Sequence, residues 1–386
     1  MRKSPLPGIF LICIFFMFIM QGLIHPVNAV DHYTQPALLW KSSSLNKNVV
    51  ADVAISSNGQ YTLVGTFSND DHVYLFDQNG KLIGKNTVGA GVANVAITPD
   101  GEYGVVSAGN KSWFLVNTQE PVENNVYFFN RQGNLLWKYN TGECTGLAAI
   151  SANGQYVVFG DGAWSDTSVI LLNREKALLW KYNTDQNIKA VAISSDGQYI
   201  VVGLTDGTIL LLNHEGKQLW KYNTMGITRM GIAISADDQH IAISEQSTKG
   251  AVIHHLNKNG QLIWKYNTDA GMLDIAISPD GNYIAAGSSD LYLFDRNGIL
   301  SGKFVTGTGG VLKKIVVSSN NLYVAMGNWD GSVSMYSSGN QEIIPETTAV
   351  MQSKIAEQDV AIAEQSKQMD VLQQLIDSIL RFLGVK

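Results

Sequence analysis

One phrase of sequence returns seven times, and that recurrence limits the fold more than anything else in the chain. A small-apolar triplet is followed by a hydroxyl residue, an Asn/Asp turn and an aromatic. The copies are Val53-Ala54-Ile55-Ser56 with Asn58-Gly59 and Tyr61, Val95-Ala96-Ile97-Thr98 with Asp100-Gly101 and Tyr103, and Ala148-Ala149-Ile150-Ser151 with Asn153-Gly154 and Tyr156. They continue with Val191-Ala192-Ile193-Ser194 (Asp196-Gly197, Tyr199), Ile232-Ala233-Ile234-Ser235 (Asp237-Asp238, His240), Ile275-Ala276-Ile277-Ser278 (Asp280-Gly281, Tyr283) and Ile315-Val316-Val317-Ser318 (Asn320-Asn321, Tyr323). Measured at the third residue, the spacings are 42, 53, 43, 41, 43 and 40.

The fourth copy shows a whole unit between Val191 and Thr224: four short apolar runs separated by three turn signals. A period just above 40 residues with four strands per unit predicts a β-propeller, one four-stranded sheet per blade. The runs are almost continuously apolar, as a sheet covered on both faces requires. Asn-Gly and Asp-Gly pairs supply the positive φ that tight hairpins need. No 10–15-residue amphipathic helices separate the strands, which argues against a parallel α/β fold. The expectation is an all-β, seven-bladed β-propeller of four-stranded antiparallel blades over residues 30–345.

Two halves of the unit resemble known repeats. Ile277-Ser278-Pro279-Asp280-Gly281-Asn282-Tyr283-Ile284-Ala285-Ala286-Gly287 resembles WD-repeat propellers. Gly133-Asn134-Leu135-Leu136-Trp137-Lys138-Tyr139-Asn140-Thr141-Gly142 resembles the tryptophan-docking repeat of quinoprotein-type propellers. The resemblance covers about residues 38–340 and speaks to fold, since such propellers host many unrelated activities. Quinone-dependent relatives use a vicinal cysteine pair, a calcium site and typically eight blades. Seven units and a single cysteine beyond the leader, Cys144, depart from that pattern, so no cofactor is expected.

The outer-strand motif occurs first at Leu38-Leu39-Trp40-Lys41, before any inner strand, and the seventh copy ends at Val333-Ser334-Met335-Tyr336 without one. An N-terminal strand completing the last blade would tie the ring and leave no open edge. The alternative gives that place to Gln341-Glu342-Ile343-Ile344. Trp recurs in the outer strand at Trp40, Trp137, Trp180, Trp220 and Trp264. Gly84 and Gly302 stand where it is missing. A Trp between blades buries a large apolar area, worth about 2–3 kcal/mol. Its loss predicts weaker packing or room for something else.

Propellers bind on the face carrying the outer-to-inner and second-to-third strand connections. Two such loops are enlarged or aromatic. Residues 108–124 carry Trp113 and Phe114, and the next blade offers Asp161, Trp164 and Asp166. Trp329 lies in an ordinary turn. Aromatics on rigidly held loops anchor ligands or partners; the competing expectation is that the long loop folds back and buries Trp113. At the channel mouth, where inner strands begin, stand Asp52, Lys189, Arg229, Asp274, Lys313 and Lys314. Their mixed sign suggests a solvated funnel or a site for a small polar ligand.

Catalytic signatures are scarce. There is no Gly-x-Ser-x-Gly elbow, phosphate loop or His-Glu-x-x-His. His254 and His255 adjoin in a strand and must face opposite ways, so no metal site is expected. Net charge is −6 without a basic, aromatic-interleaved patch, so nucleic acid is not an expected partner.

The ends differ from the repeats. Arg2-Lys3, the apolar run from Gly8 to Met20 and Val27-Asn28-Ala29 form a secretory signal pattern over residues 1–29. An uncleaved anchor is the alternative. The expected location is therefore exported: extracellular, cell surface or periplasmic. Over residues 346–386, Ile355, Ile362, Met369, Ile376 and Leu383 recur every seven residues, with Gln358, Gln365, Leu372 and Ile379 as seam partners. That is a C-terminal α-helix of roughly 45 Å suited to a coiled coil and homo-oligomer. An amphipathic helix in peripheral membrane contact or against the propeller's own flank is the alternative. The sequence thus reads as an exported, non-catalytic scaffold for a protein partner or small ligand. A hydrolase or oxidoreductase site at the channel mouth is the competing class.

Overall fold

The computed structural model describes residues 37–42, 45, 49–67, 71–109, 123–142, 145–161, 167–224, 230–247, 250–268, 274–287, 290–305, 312–318, 323–328 and 330–337. They form seven antiparallel four-stranded sheets. The innermost strands are β2 (Val49–Ile55), β6 (Gly91–Ile97), β10 (Thr145–Ile150), β14 (Ile188–Ile193), β18 (Met230–Ile234), β22 (Asp274–Ile277) and β26 (Leu312–Val317). Each contacts the next and β26 contacts β2, so the sheets close into a seven-bladed ring. The chain divides into two units, Met1–Asn340 and Gln341–Lys386, and only the first contains described residues. The signal segment and the expected tail helix lie outside the described residues, as do Ile355, Ile362, Met369, Leu372, Ile376, Ile379 and Leu383.

The seventh blade is built from both ends of the propeller. β1 (Ala37–Lys41) pairs antiparallel with β28 (Val333–Ser337), bringing Ala37 opposite Ser337 and Lys41 opposite Ser334. The pairing continues past the strand, with Ser42 N donating to Val333 O at 2.8 Å and Leu45 N to Gly331 O at 3.0 Å. Residues 341–344, the other candidate for this place, lie outside the described residues.

The repeated phrase is a hydrogen-bonding device. In the first blade, Ser56 Oγ donates to Asn58 Oδ1 and accepts from Tyr61 N, while Asn58 Oδ1 also accepts from Gln60 N. The same bonds join Thr98 to Asp100, Ser151 to Asn153, Ser194 to Asp196, Ser235 to Asp237 and Ser278 to Asp280. Each hydroxyl is buried and satisfied by its own turn, so a polar atom is carried at the end of an inner strand without penalty.

The aromatic that follows locks the next blade. A Cβ on Gly101 would meet the Tyr61 ring at 2.3 Å, and the same close approach pairs Gly154 with Tyr103, Gly197 with Tyr156, Gly281 with His240 and Gly59 with Tyr323. These turn glycines have positive φ, so conformation and space both demand glycine. The next blade's outer hairpin covers the same ring: Arg131 stacks over Tyr61 at 4.9 Å and Arg174 over Tyr103 at 4.6 Å.

Candidate functional site

Each blade presents one inner-strand residue at the same register to the ring: Asp52, Asn94, Leu147, Ala190, Gly231, Asp274 and Lys314, paired with Gly65, Ser107, Gly160, Gly203, Ser244, Gly287 and Gly327 respectively. Just before that position β2, β6, β10, β14 and β26 carry an extra residue, a bulge. The bulge sets which of two neighbours takes the ring position. Lys189 and Lys313 are the bulge residues of β14 and β26, whereas Lys314 takes the ring place.

The polar members are contiguous across blades six, seven, one and two. Lys314 Nζ lies 3.1 Å from Asp274 Oδ1 and 3.3 Å from Asp52 Oδ1. Asp52 Oδ2 accepts from Asn94 Nδ2 at 2.6 Å and from Val95 N at 2.8 Å. Asn94 Oδ1 in turn accepts from Ala148 N at 2.9 Å. Each side chain thus satisfies an inner-strand donor of the next blade, and the network runs from blade six into blade three. Asp52 is buried, and the side chains of Asp274 and Lys314 are only 15% and 23% exposed. These groups do not stand in a solvated funnel; they bind one another. Burial raises the Asp274 carboxyl to about 6 even though Lys314 opposes the shift. The two carboxylates beside Lys314 outweigh its burial and hold its ammonium above the ordinary lysine range. The opposite half of the ring, Leu147, Ala190 and Gly231, has no charge.

A second polar cluster sits inside blade five, on β19 (His240–Ser247) and β20 (Gly250–Asn257). His254 faces the fourth blade, with Nδ1 3.1 Å from Tyr222 Oη and Nε2 3.2 Å from Glu245 Oε1. His255 faces the other way, 3.0 Å from His240 and edge-on to Trp264. Arg296 approaches His240 Nε2 at 3.1 Å; since guanidinium only donates, His240 carries its proton on Nδ1 and donates to His255. Burial, reinforced by His240 and Arg296, pushes His255 down to about 4, which leaves it neutral. Adjacent histidines therefore point to opposite faces, each spent on packing. Among the described residues, no group of three or more His, Cys, Asp or Glu is arranged to hold a metal ion.

The other candidates are placed as follows. Asp161 ends β11 (Tyr156–Asp161), opposite Thr145 and Ser168 in register. Trp113, Phe114, Trp164, Asp166, Trp329 and Arg229 lie outside the described residues, as does Cys144.

The rim carries a feature that the sequence reading passed over. The outer strands are β1, β5 (Leu82–Thr87), β9 (Leu135–Asn140), β13 (Leu178–Asn183), β17 (Gln218–Asn223), β21 (Leu262–Thr268) and β25 (Leu300–Val305). Every one has a bulge just before the Trp or Gly position, as between Leu171 and Leu172 opposite Trp180 and Leu178. A bulge puts two consecutive residues on the same, outward face. In five blades both are aliphatic: Leu38-Leu39, Leu82-Ile83, Leu135-Leu136, Leu178-Leu179 and Leu262-Ile263, between 41% and 55% exposed. Doubled Leu or Ile before the docking position is the signal that could have found this belt.

The docking tryptophans behave as their spacing implied. Trp137, Trp180, Trp220 and Trp264 donate Nε1–H to the carbonyls of Arg174, His214, Lys258 and Arg296, each in the next blade's outer hairpin, at 2.6 to 2.9 Å. Trp180, Trp220 and Trp264 lie against Gly216, Gly260 and Gly298, and Trp40 against Gly80. Gly302 has a plain reason for lacking the indole. The next blade is the seventh, whose outer strand comes from the other end of the propeller, so its third and outer strands, β28 and β1, are not joined by a hairpin turn. Gly84 has no such excuse, because the second blade has an ordinary outer hairpin at Asn130–Gly133.

Residues 120–255 match the model of a family of unknown function, DUF5711, and residues 260–293 match the WD domain, G-beta repeat. No curated protein matches the chain. The WD match covers the outer strand of blade five and the first three of blade six. Taken with the closed ring of seven four-stranded sheets, it supports a WD-repeat β-propeller. The DUF5711 match spans parts of blades two to five, and that description carries no activity.

Proposed function

We propose that this chain is an exported, non-catalytic scaffold that holds a protein partner on the rim of its propeller, with copies joined through the C-terminal segment. The observation that carries the reading is the belt of doubled aliphatic side chains on the outer strands. Isolated surface leucines need no explanation; the same exposed aliphatic pair repeated at one register on five of the seven blades is a patterned apolar rim of the kind partners cover. The leader pattern of residues 1–29 supports export, and the heptad seam of residues 346–386 supports assembly. The likeness of the outer strands to tryptophan-docking repeats is read as architecture, without a quinone.

Changing Leu135, Leu136, Leu178 and Leu179 together to Ser tests the rim. Exposed positions of this kind move stability by no more than about 0.5 kcal/mol each. The variant is therefore expected to stay folded while losing a partner protein that the full chain retains on pull-down. Retention of the partner would count against a rim scaffold. For the tail, ending the chain at Pro345 is expected to reduce the native mass in light scattering to that of one propeller, with the melting transition of the blades unchanged. An unaltered mass sinks the assembly role.

A propeller enzyme is the second reading, and one observation favours it: Asp274 titrates near 6 beside Lys314. Against it, both carboxylates and the ammonium are already engaged with each other. Turnover abolished by Asp274→Asn in a folded protein would revive it.

A further inference from the structure

The aromatic that follows the turn of each inner hairpin is tyrosine in six blades and His240 in the fifth. His240 still takes the locking place, beneath Gly281 of blade six, where a Cβ would meet its ring at 2.2 Å. Its neighbour departs from the repeat as well. His255 stands opposite Trp264, where the other six blades carry Leu75, Phe128, Leu171, Leu211, Leu293 and Met335. The third member is ordinary: Arg296 sits in the outer hairpin of blade six, as Arg131 and Arg174 sit in those of blades two and three. Over a tyrosine such a guanidinium is attracted by the ring face. Beside a histidine it is tolerated only while the imidazole is neutral. The bonds leave no place for a further proton. Arg296 Nη2 donates to His240 Nε2 at 3.1 Å, and His240 Nδ1 donates to His255 Nε2 at 3.0 Å. Both acceptor nitrogens are taken, so His255 carries its own proton on Nδ1. A proton added at His240 Nε2 would meet the guanidinium donor head-on, and one added at His255 Nε2 would meet the His240 N–H. Both rings are buried. Burial first, then Arg296, holds His240 below the ordinary 6.5 against the pull of Asp237 and Asp280. Burial, His240 and Arg296 do the same to His255 against the pull of the Arg296 backbone. His254, Glu245 and Tyr222 form a separate set on the other face of β20.

We propose that the junction of blades five and six is an acid-sensitive seam in the ring. Protonating the His240–His255 pair against Arg296 frees His240 from beneath Gly281 and Trp264 from the Arg296 carbonyl, while the junctions locked by tyrosine stay shut. His255 touches the indole edge-on, and the indole bonds the carbonyl of the same Arg296, so lock and docking tryptophan give way together. A histidine held neutral contributes stability that is complete above 6.5 and is lost as pH falls toward its folded value, about 4 for His255. Opening takes up two protons, so within that window the opening constant climbs by up to about a hundredfold per pH unit. His214, at the junction of blades three and four, is the contrast. Its Nδ1 faces the Gly197 carbonyl at 2.9 Å, so that nitrogen keeps its proton in either charge state and acid breaks no bond there. The seam does not depend on what the rim holds.

The test follows solvent exchange of the tryptophan indole N–H groups in the full chain by NMR. Trp137, Trp180 and Trp220 dock at other junctions and serve as internal controls. Dividing the Trp264 rate by theirs removes the intrinsic pH dependence of exchange. Between pH 7 and pH 5 this ratio is expected to rise at least about tenfold. In the double variant His240→Tyr, His255→Leu, which gives blade five the residues of its neighbours, the ratio should change by less than about twofold. Should the double variant fail to fold, His255→Leu alone takes its place and should cut the rise at least about threefold. A Trp264 rate that tracks the three controls down to pH 5 means that the whole ring responds together, and overturns the proposal. A rise that persists undiminished in the folded variant overturns it too, because the histidines would then not be its source.

Discussion

Replacing Lys314 with methionine is expected to destabilise the propeller by about 3–5 kcal/mol, the range for removing one partner from a buried charge cluster. Lys314 lies within 3.3 Å of both Asp52 and Asp274, on the inner strands of blades one and six. Without it, two largely buried carboxylates share a space with no cation. Asp52 keeps the bonds from Asn94 and Val95 N, so the unrelieved charge falls mainly on Asp274. Adding Asp274→Asn to the methionine variant should therefore recover most of the loss. Urea unfolding at neutral pH measures both, and a single variant within 1 kcal/mol of the parent would remove the network from any account of ring closure.

The same site sets a pH dependence. The folded-state value of Asp274 is raised to about 6, above the 3.8 of an ordinary aspartate. A raised group contributes stability that is fully present below its unfolded value and is lost as pH rises through its folded one. Stability from this group therefore declines between about pH 4 and 6. In the methionine variant the window should extend to higher pH, because the cation that favoured ionisation is gone. Lys314 is also raised, so its contribution is intact throughout and would be lost only in strong alkali. The double variant should show the shallowest dependence across pH 4–8.

What could be read in advance follows the range of the interactions. The Ser56–Asn58–Tyr61 device is complete within six residues, so its repetition gave the blades, their number and the hairpin ends. The docking tryptophans were legible because each sits a fixed distance beyond a turn. Lys314 with Asp52 and Asp274 was legible only as three charges near the starts of strands. Their meeting depends on ring closure, and a one-residue bulge in β26 decides that Lys314 takes the register that meets the carboxylates. Gly84 and Gly302 look alike in sequence. Only the order of strands in blade seven separates them, since a blade finished from the other end of the propeller has no hairpin to dock against. The rim belt went unread for a similar reason: consecutive leucines in a strand normally face opposite ways, and the bulge that puts both outside is invisible until register is known.

The strand that finishes blade seven yields the second large effect. A chain beginning at Leu45, without β1, should lose on the order of 5 kcal/mol. It forfeits the ladder to β28, the bonds from Ser42 to Val333, and the packing of Trp40 on Gly80 and on Phe76, whose ring centroid is 5.8 Å from its own. Trp40 differs from the other docking tryptophans, since its Nε1 is buried without a hydrogen bond among the described residues. Packing and the β-ladder are therefore what hold this junction. In a domain of this size the loss corresponds to a fall of about 10 °C or more in melting temperature. It also uncovers the whole β28 edge, a template for pairing with another chain, so the truncated protein should associate as concentration rises. A synthetic peptide of residues 36–46 added in trans should restore both the melting temperature and the monomeric propeller. Calorimetry with and without the peptide decides it. A truncated chain that melts within 2 °C of the parent would mean that the ring does not depend on β1, and that closure must come from a segment after Ser337.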